Sequence, residues 1–77
     1  MELKQVLTDI ARAIVDTPDA VNVIENVDGD NVVLTLVVAE DDTGRVIGRH
    51  GKIAKAIRQV MKAAANTCGK HVTVEIK

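Results

Sequence analysis

Val46-Ile47-Gly48-Arg49-His50-Gly51-Lys52-Ile53 is the stretch on which the fold of this chain turns. Two glycines bracket two side chains, a β-branched pair precedes them and an apolar helical pattern follows. Glycine carries no Cβ, so it permits a tight turn and lets another molecule come close to the main chain. After Gly51, the residues Ile53, Ala56, Ile57, Val60, Met61 and Ala64 recur at helical spacing, which predicts a helix over 52–66. A short helical turn is expected before Gly48. The loop therefore runs into a helix N-terminus, where free N–H groups and the helix dipole favour anions. Arg49, His50 and Lys52 add donors at the same spot, and Arg45 lies one turn back. The combination suits a sugar-phosphate chain, with Val46, Ile47 and Ile53 expected to form an aliphatic floor for bases. A bare Gly-x-x-Gly could equally be a plain corner between two helices. Four surrounding bases and a preceding strand distinguish this one.

Outward from the loop, the rest of the chain falls into a clear order. Leu3, Val6, Leu7, Ile10, Ala11 and Ile14 mark one face of an amphipathic helix over roughly 2–16, which Pro18 stops. Val21–Val27 reads as a short strand, and Asp28-Gly29-Asp30-Asn31 as the turn of a hairpin. Residues 32–39 are nearly continuously apolar, as in a strand that is central or covered on both faces. Glu40-Asp41-Asp42-Thr43-Gly44 reads as a solvated acidic loop. Gly69 fits the residue that ends the long helix. Val72, Val74 and Ile76 then alternate with polar residues in a half-buried last strand. The order is α-β-β-α-α-β. The connection of about thirty residues between the second and third strands allows them to run parallel with a right-handed crossover. The expected architecture is α+β: one domain over 1–77, a three-stranded mixed sheet with three helices on one face. The other sheet face is expected to be more exposed, or used for assembly.

Composition narrows the chemistry. The chain has 77 residues and no Phe, Tyr or Trp. Readers that stack bases on aromatic rings are thereby excluded. The net charge of −1 conceals a division: residues 1–42 hold ten acids and two bases, net −8, whereas residues 43–77 hold eight bases and one acid, net +7. Five of those bases fall within 45–58, which points to a polyanion partner for the second half. Attraction between the halves is the alternative. Lys55 and Lys62, on the polar side of the long helix, would extend the basic track, although solubility alone would account for them.

Other chemistries fail at the residue level. A Walker loop needs Gly at position 46 and Ser or Thr at 53, which are Val46 and Ile53, and a dinucleotide fingerprint also needs Gly at 46. No Ser is present to act as a nucleophile. Cys68 and His71 make a poor metal site or nucleophile pair without further ligands or an orienting group, and read as a packed thiol and a surface imidazole. Neither a metal nor a cofactor is expected, and no catalytic residue is assigned. One cysteine excludes an internal disulfide framework. With no signal-peptide pattern and no run long enough to span a bilayer, a cytoplasmic location off the membrane is expected. The long helix carries more apolar residues than one core face needs (Ala54, Ala63 and Ala65 besides the main row), and with Met61 this surplus is a candidate partner contact.

The run from Val46 to Arg58 resembles the signature of the KH domain, a Val-Ile-Gly-x-x-Gly followed by an aliphatic helix, and the element order resembles its type II arrangement. Over its whole length, including Ile14–Val21 before the first strand, the chain is similar to the small bacterial single-KH RNA-binding proteins of the KhpA type. The glycines, the basic Arg49 and Arg58 fit that pattern, and His50 occupies a variable loop position. The resemblance implies binding of single-stranded RNA, roughly four nucleotides in the groove. It implies a dimer as well, either with itself or with a larger KH-containing partner. The expected function is a non-enzymatic RNA-binding protein acting as a dimer, a post-transcriptional regulator or RNA chaperone. The site expected is Arg45, Val46, Ile47, Gly48, Arg49, His50, Gly51, Lys52, Ile53 and Lys55. The alternative is an assembly module for a larger KH protein, with RNA binding secondary. Single-stranded DNA differs only in the missing 2′-OH, which the sequence does not address.

Overall fold

The structure is a computed structural model and describes residues 2–77. The first apolar stripe forms α1, Leu3–Ile14, with Leu3, Leu7 and Ala11 buried and Val6, Ile10 and Ile14 packed at the margin. The helix stops short of the expected end near residue 16. Val15 turns extended and drops its side chain into the core. The next two backbone N–H groups, of Asp16 and Thr17, are taken by the carboxylate of Asp42 at 3.1 and 3.0 Å. Those donors would otherwise have continued the helix. A tight turn over Pro18–Ala20 leads into the sheet.

β1, Asn22–Asp28, pairs antiparallel with β2, Asn31–Val37, and β2 pairs parallel with β3, His71–Ile76. The order β1-β2-β3 places the most apolar strand in the middle, which decides between the two readings of residues 32–39. Register puts Val23, Leu34, Leu36 and Val74 on one face, all buried under the helices. Ile24, on the other face, is 48% exposed, so that face is the more open one. The mixed α+β sheet therefore matches expectation.

Three expectations are corrected. The acidic segment 40–44 is not a solvated loop. It forms a tight turn over Glu40–Asp42 that runs into α2, Thr43–Ile47, and Asp42 is buried at 2% exposure. A carboxylate tolerates such burial only when its oxygens are bonded. Here two backbone N–H groups and Arg45, whose Nε lies 3.4 Å from Oδ1, satisfy it. The core row of α3, Lys52–Thr67, is also rotated from the expected one. Ala54, Ile57, Met61 and Ala65 face inward, and the small alanines at both ends of the row let the helix lie close. Met61 is fully buried, so it offers nothing to a partner, and the exposed large apolar residues on this helix are Ile53 and Val60, with the small Ala56 and Ala63 exposed beside them.

Because Asp42 alone ties α2 to the end of α1 through buried charged hydrogen bonds, Asp42→Ala is expected to cost about 2–4 kcal/mol. Asp41→Ala, on an exposed neighbour, is expected to cost less than about 0.5 kcal/mol. Paired urea melts measure the difference.

Candidate nucleic-acid interface

α2 ends at Gly48 (φ 75°, ψ 173°), a conformation essentially reserved for glycine. A Cβ built at Gly48 would lie 2.3 Å from Cγ1, 2.8 Å from Cβ and 2.9 Å from the backbone N of Ile53. The missing side chain therefore has a specific purpose. It lets the end of α2 lie directly against the first turn of α3. Gly51 (φ 73°, ψ 14°) is left-handed too, but a Cβ there would meet nothing within 4 Å. Its glycine answers to backbone conformation and to open space above the loop. Between them, His50 sits at φ 58°, the only non-glycine with positive φ among the described residues. Histidine is one of the few residue types enriched in that region. The Gly51 N–H donates to the Gly48 carbonyl at 3.1 Å and closes the turn.

Apart from the two glycines, the expected site residues are placed in different ways. Arg49, His50, Lys52 and Lys55 are exposed on the loop and the start of α3, around the two glycines. No side chain caps the N-terminus of α3. Ile53 makes the Gly48 contact and Ile47 precedes Gly48 in the chain, and both are partly exposed, at 38% and 39%. Val46 does not belong with them. It is fully buried in the core, where it anchors α2, so it cannot form part of a floor for bases. Arg45 is turned away from the loop, its Nη2 2.7 Å from Oδ2 of Asp16 and its Nε 3.4 Å from Oδ1 of Asp42.

That pairing bears on the charge division. Among the described residues, Arg45 is the only Lys or Arg in an ion pair, so attraction between the halves engages one of eight bases. None of the other seven is in an ion pair among the described residues. Arg58 donates from Nε to the carbonyl of Val74 at 3.2 Å, on the outer edge of β3. With Lys62, Val72 and Thr73 it lines a shallow groove of about 230 Å³ between α3 and β3. The groove was absent from the expected site. The spacing of Lys55, Arg58 and Lys62 was the available signal, since it puts all three on one flank of the helix. Cys68 is exposed rather than packed. No group of three or more His, Cys, Asp or Glu among the described residues could hold a metal ion, and no helix is long and apolar enough to cross a membrane.

Residues 4–76 match the family model described as KhpA/KhpB, KH domain. The chain belongs to this family of KH domains. The chain is 51% identical over 74 residues to the RNA-binding protein KhpA of Clostridium acetobutylicum, covering 96% of this chain and 99% of that protein. It is 39% identical over 74 residues to the RNA-binding protein KhpA of Bacillus subtilis, covering 96% and 91%. Two solved Era structures share the fold of this KH domain. One is from Aquifex aeolicus with GDP and AlF4− (TM-score 0.66, 17% identity), the other is Era with MgGDPNP and a segment of 16S ribosomal RNA (TM-score 0.60, 19% identity). Each match covers 96% of this chain but only 29% and 28% of the Era chain, respectively. The resemblance read from Val46–Arg58 is thus shown at the level of family and fold.

Gly48→Ala must displace Ile53 or the α3 backbone as well as adopt a disfavoured conformation. It is expected to destabilise by about 3 kcal/mol, against about 1–2 kcal/mol for Gly51→Ala, which meets only the conformational cost. Thermal melts of the two variants give the ranking.

Proposed function

We propose that this chain is a non-enzymatic protein that holds short single-stranded RNA against the Gly48–Gly51 loop and the adjoining flank of α3. The observation that carries this reading is the pair of glycines with different physical reasons. Gly48 lets Ile53 pack against the end of α2, next to the partly exposed Ile47, while the space above Gly51 is open to a ligand backbone. Arg49, His50 and Lys52, unpaired with any acid of the chain, hold phosphates at the uncapped start of α3. Ile47 and Ile53 give bases an aliphatic surface. Lys55, Arg58 and Lys62 continue the track along the groove beside β3. Arg45 holds α2 in place through Asp42 and Asp16 and leaves phosphate contact to the other bases. The names of the relatives, RNA-binding protein KhpA, support RNA as the polyanion.

The protein acts in the cytoplasm as a post-transcriptional regulator or RNA chaperone, and needs no metal or cofactor. One groove of this size binds weakly, and a dimer raises affinity through effective concentration. Exposed Val60 on α3, half open to solvent, is the residue that favours a protein contact on this helix, with a second copy or with a larger KH-containing protein. An assembly role with secondary RNA binding is the second reading, and it predicts partner capture that survives RNase.

Arg49→Asp/His50→Asp tests the site without straining the loop, because Asp tolerates the left-handed conformation at position 50. The variant is expected to keep its circular dichroism spectrum and to lose at least about tenfold in affinity for a single-stranded RNA oligomer. For the parent, about three phosphate contacts predict a log–log salt slope near −2. A folded variant that binds as well as the parent removes the loop from the site.

A further inference from the structure

We propose that the free edge of β1 and the apolar hollow beside it receive an extended basic peptide segment of a partner protein as a fourth strand. The sheet order leaves β1 at one edge, with the α2-bearing side of the molecule packed towards β3 at the other. In the hairpin the tight turn makes Asp28 and Asn31 a bonded pair, and bonded pairs then alternate along the ladder. Val23, Glu25 and Val27 therefore point their N–H and C=O groups outward. No other hydrogen bond in the described residues uses them. This is an open template for another strand.

Natural sheets protect such edges with proline, lysine, a bulge or an inward-pointing charge. β1 has neither proline nor lysine, and its register with β2 is uninterrupted. Its one device is Glu25, an exposed carboxylate on the helix-facing side. That device acts against a second copy of this chain: antiparallel self-pairing that uses all three outward residues sets Glu25 opposite Glu25. It does not act against a basic strand.

The hollow supplies the second half of the fit. It is about 220 Å³, with Leu3, Val27 and Val32 as its apolar wall and Glu2, Glu25 and Lys70 at its rim. Val27 is 58% exposed, the most open of the large apolar side chains among the described residues. A strand laid on β1 would alternate its side chains, and those on the helix side would cover Val27 and enter the hollow. Two acids against one base at the rim, with Asp28 and Asp30 at the hairpin tip, favour Lys or Arg at the flanking positions. This surface draws on the acidic half of the chain, whereas the proposed RNA track draws on the basic half, so the two can be occupied together.

The test uses the full chain, isotope-labelled and free of RNA, titrated with a synthetic peptide of alternating lysine and valine. Controls are the glutamate–valine counterpart and a lysine–valine peptide N-methylated at every valine, whose amides face β1 when the valine side chains enter the hollow in antiparallel addition. The expected result is chemical-shift change centred on residues 22–28, with the amides of Val23, Glu25 and Val27 exchanging at least about tenfold more slowly. N-methylation should weaken binding by about tenfold or more. Glu25→Lys should shift preference towards the glutamate–valine peptide. Shifts confined to α3 and β3, equal binding of the N-methylated peptide, or no response at residues 22–28 at millimolar peptide would each overturn the proposal. Protection of the same amides that rises with protein concentration alone would overturn it in favour of a second copy.

Discussion

The contact between Gly48 and Ile53 sets the geometry on which the candidate site depends. With no side chain at position 48, the end of α2 rests on the first turn of α3, closer than any Cβ would allow. Because the two helices meet there, the three residues between them must turn back sharply. They do so with His50 and Gly51 both in the left-handed region. The turn throws Arg49 and His50 outward and leaves the start of α3 without a side-chain cap. Loop shape, the outward placement of Arg49 and His50 and the position of Ile53 against α2 thus follow from one steric fact.

That contact would be of little use if α2 were free to pivot. Five residues make a helix too short to be stable alone. It is held at one end by Val46 in the core, and at the other by Asp42, whose carboxylate is bonded to two backbone N–H groups after α1 and to Arg45. The same carboxylate ends α1. One buried charge therefore links the first helix to the element that presents the loop, which is why a residue from the acidic half matters to a basic site.

Much of this was legible in the sequence, for physical reasons that differ by element. The apolar row of α1, the hairpin turn and the alternation of β3 are local patterns, and the structure follows them to within a residue or two at most boundaries. The paired glycines located the loop and the family. Asp42 was misread because a run of three acids looks solvated, and only tertiary contact shows one of them meeting unsatisfied backbone donors 25 and 26 residues away. Val46 was misplaced because a β-branched pair before a loop does not reveal which member points inward. The rotated core row of α3 has a similar origin: alanine fits either face, so large residues alone gave the wrong centre. Arg45 looked like a member of the basic cluster because sequence distance cannot show that Asp16 lies beside it.

The central claim is that RNA is held at the Gly48–Gly51 loop. Titration of the isotope-labelled protein with a four- to six-nucleotide single-stranded RNA, followed amide by amide, tests it most directly. The account predicts that the largest shifts fall on Gly48 to Ile53, extend along the Lys55–Lys62 flank of α3 and its groove with β3, and spare the acidic hairpin. Binding that shifts α1 or the hairpin while Gly48 to Ile53 stay unmoved would contradict it.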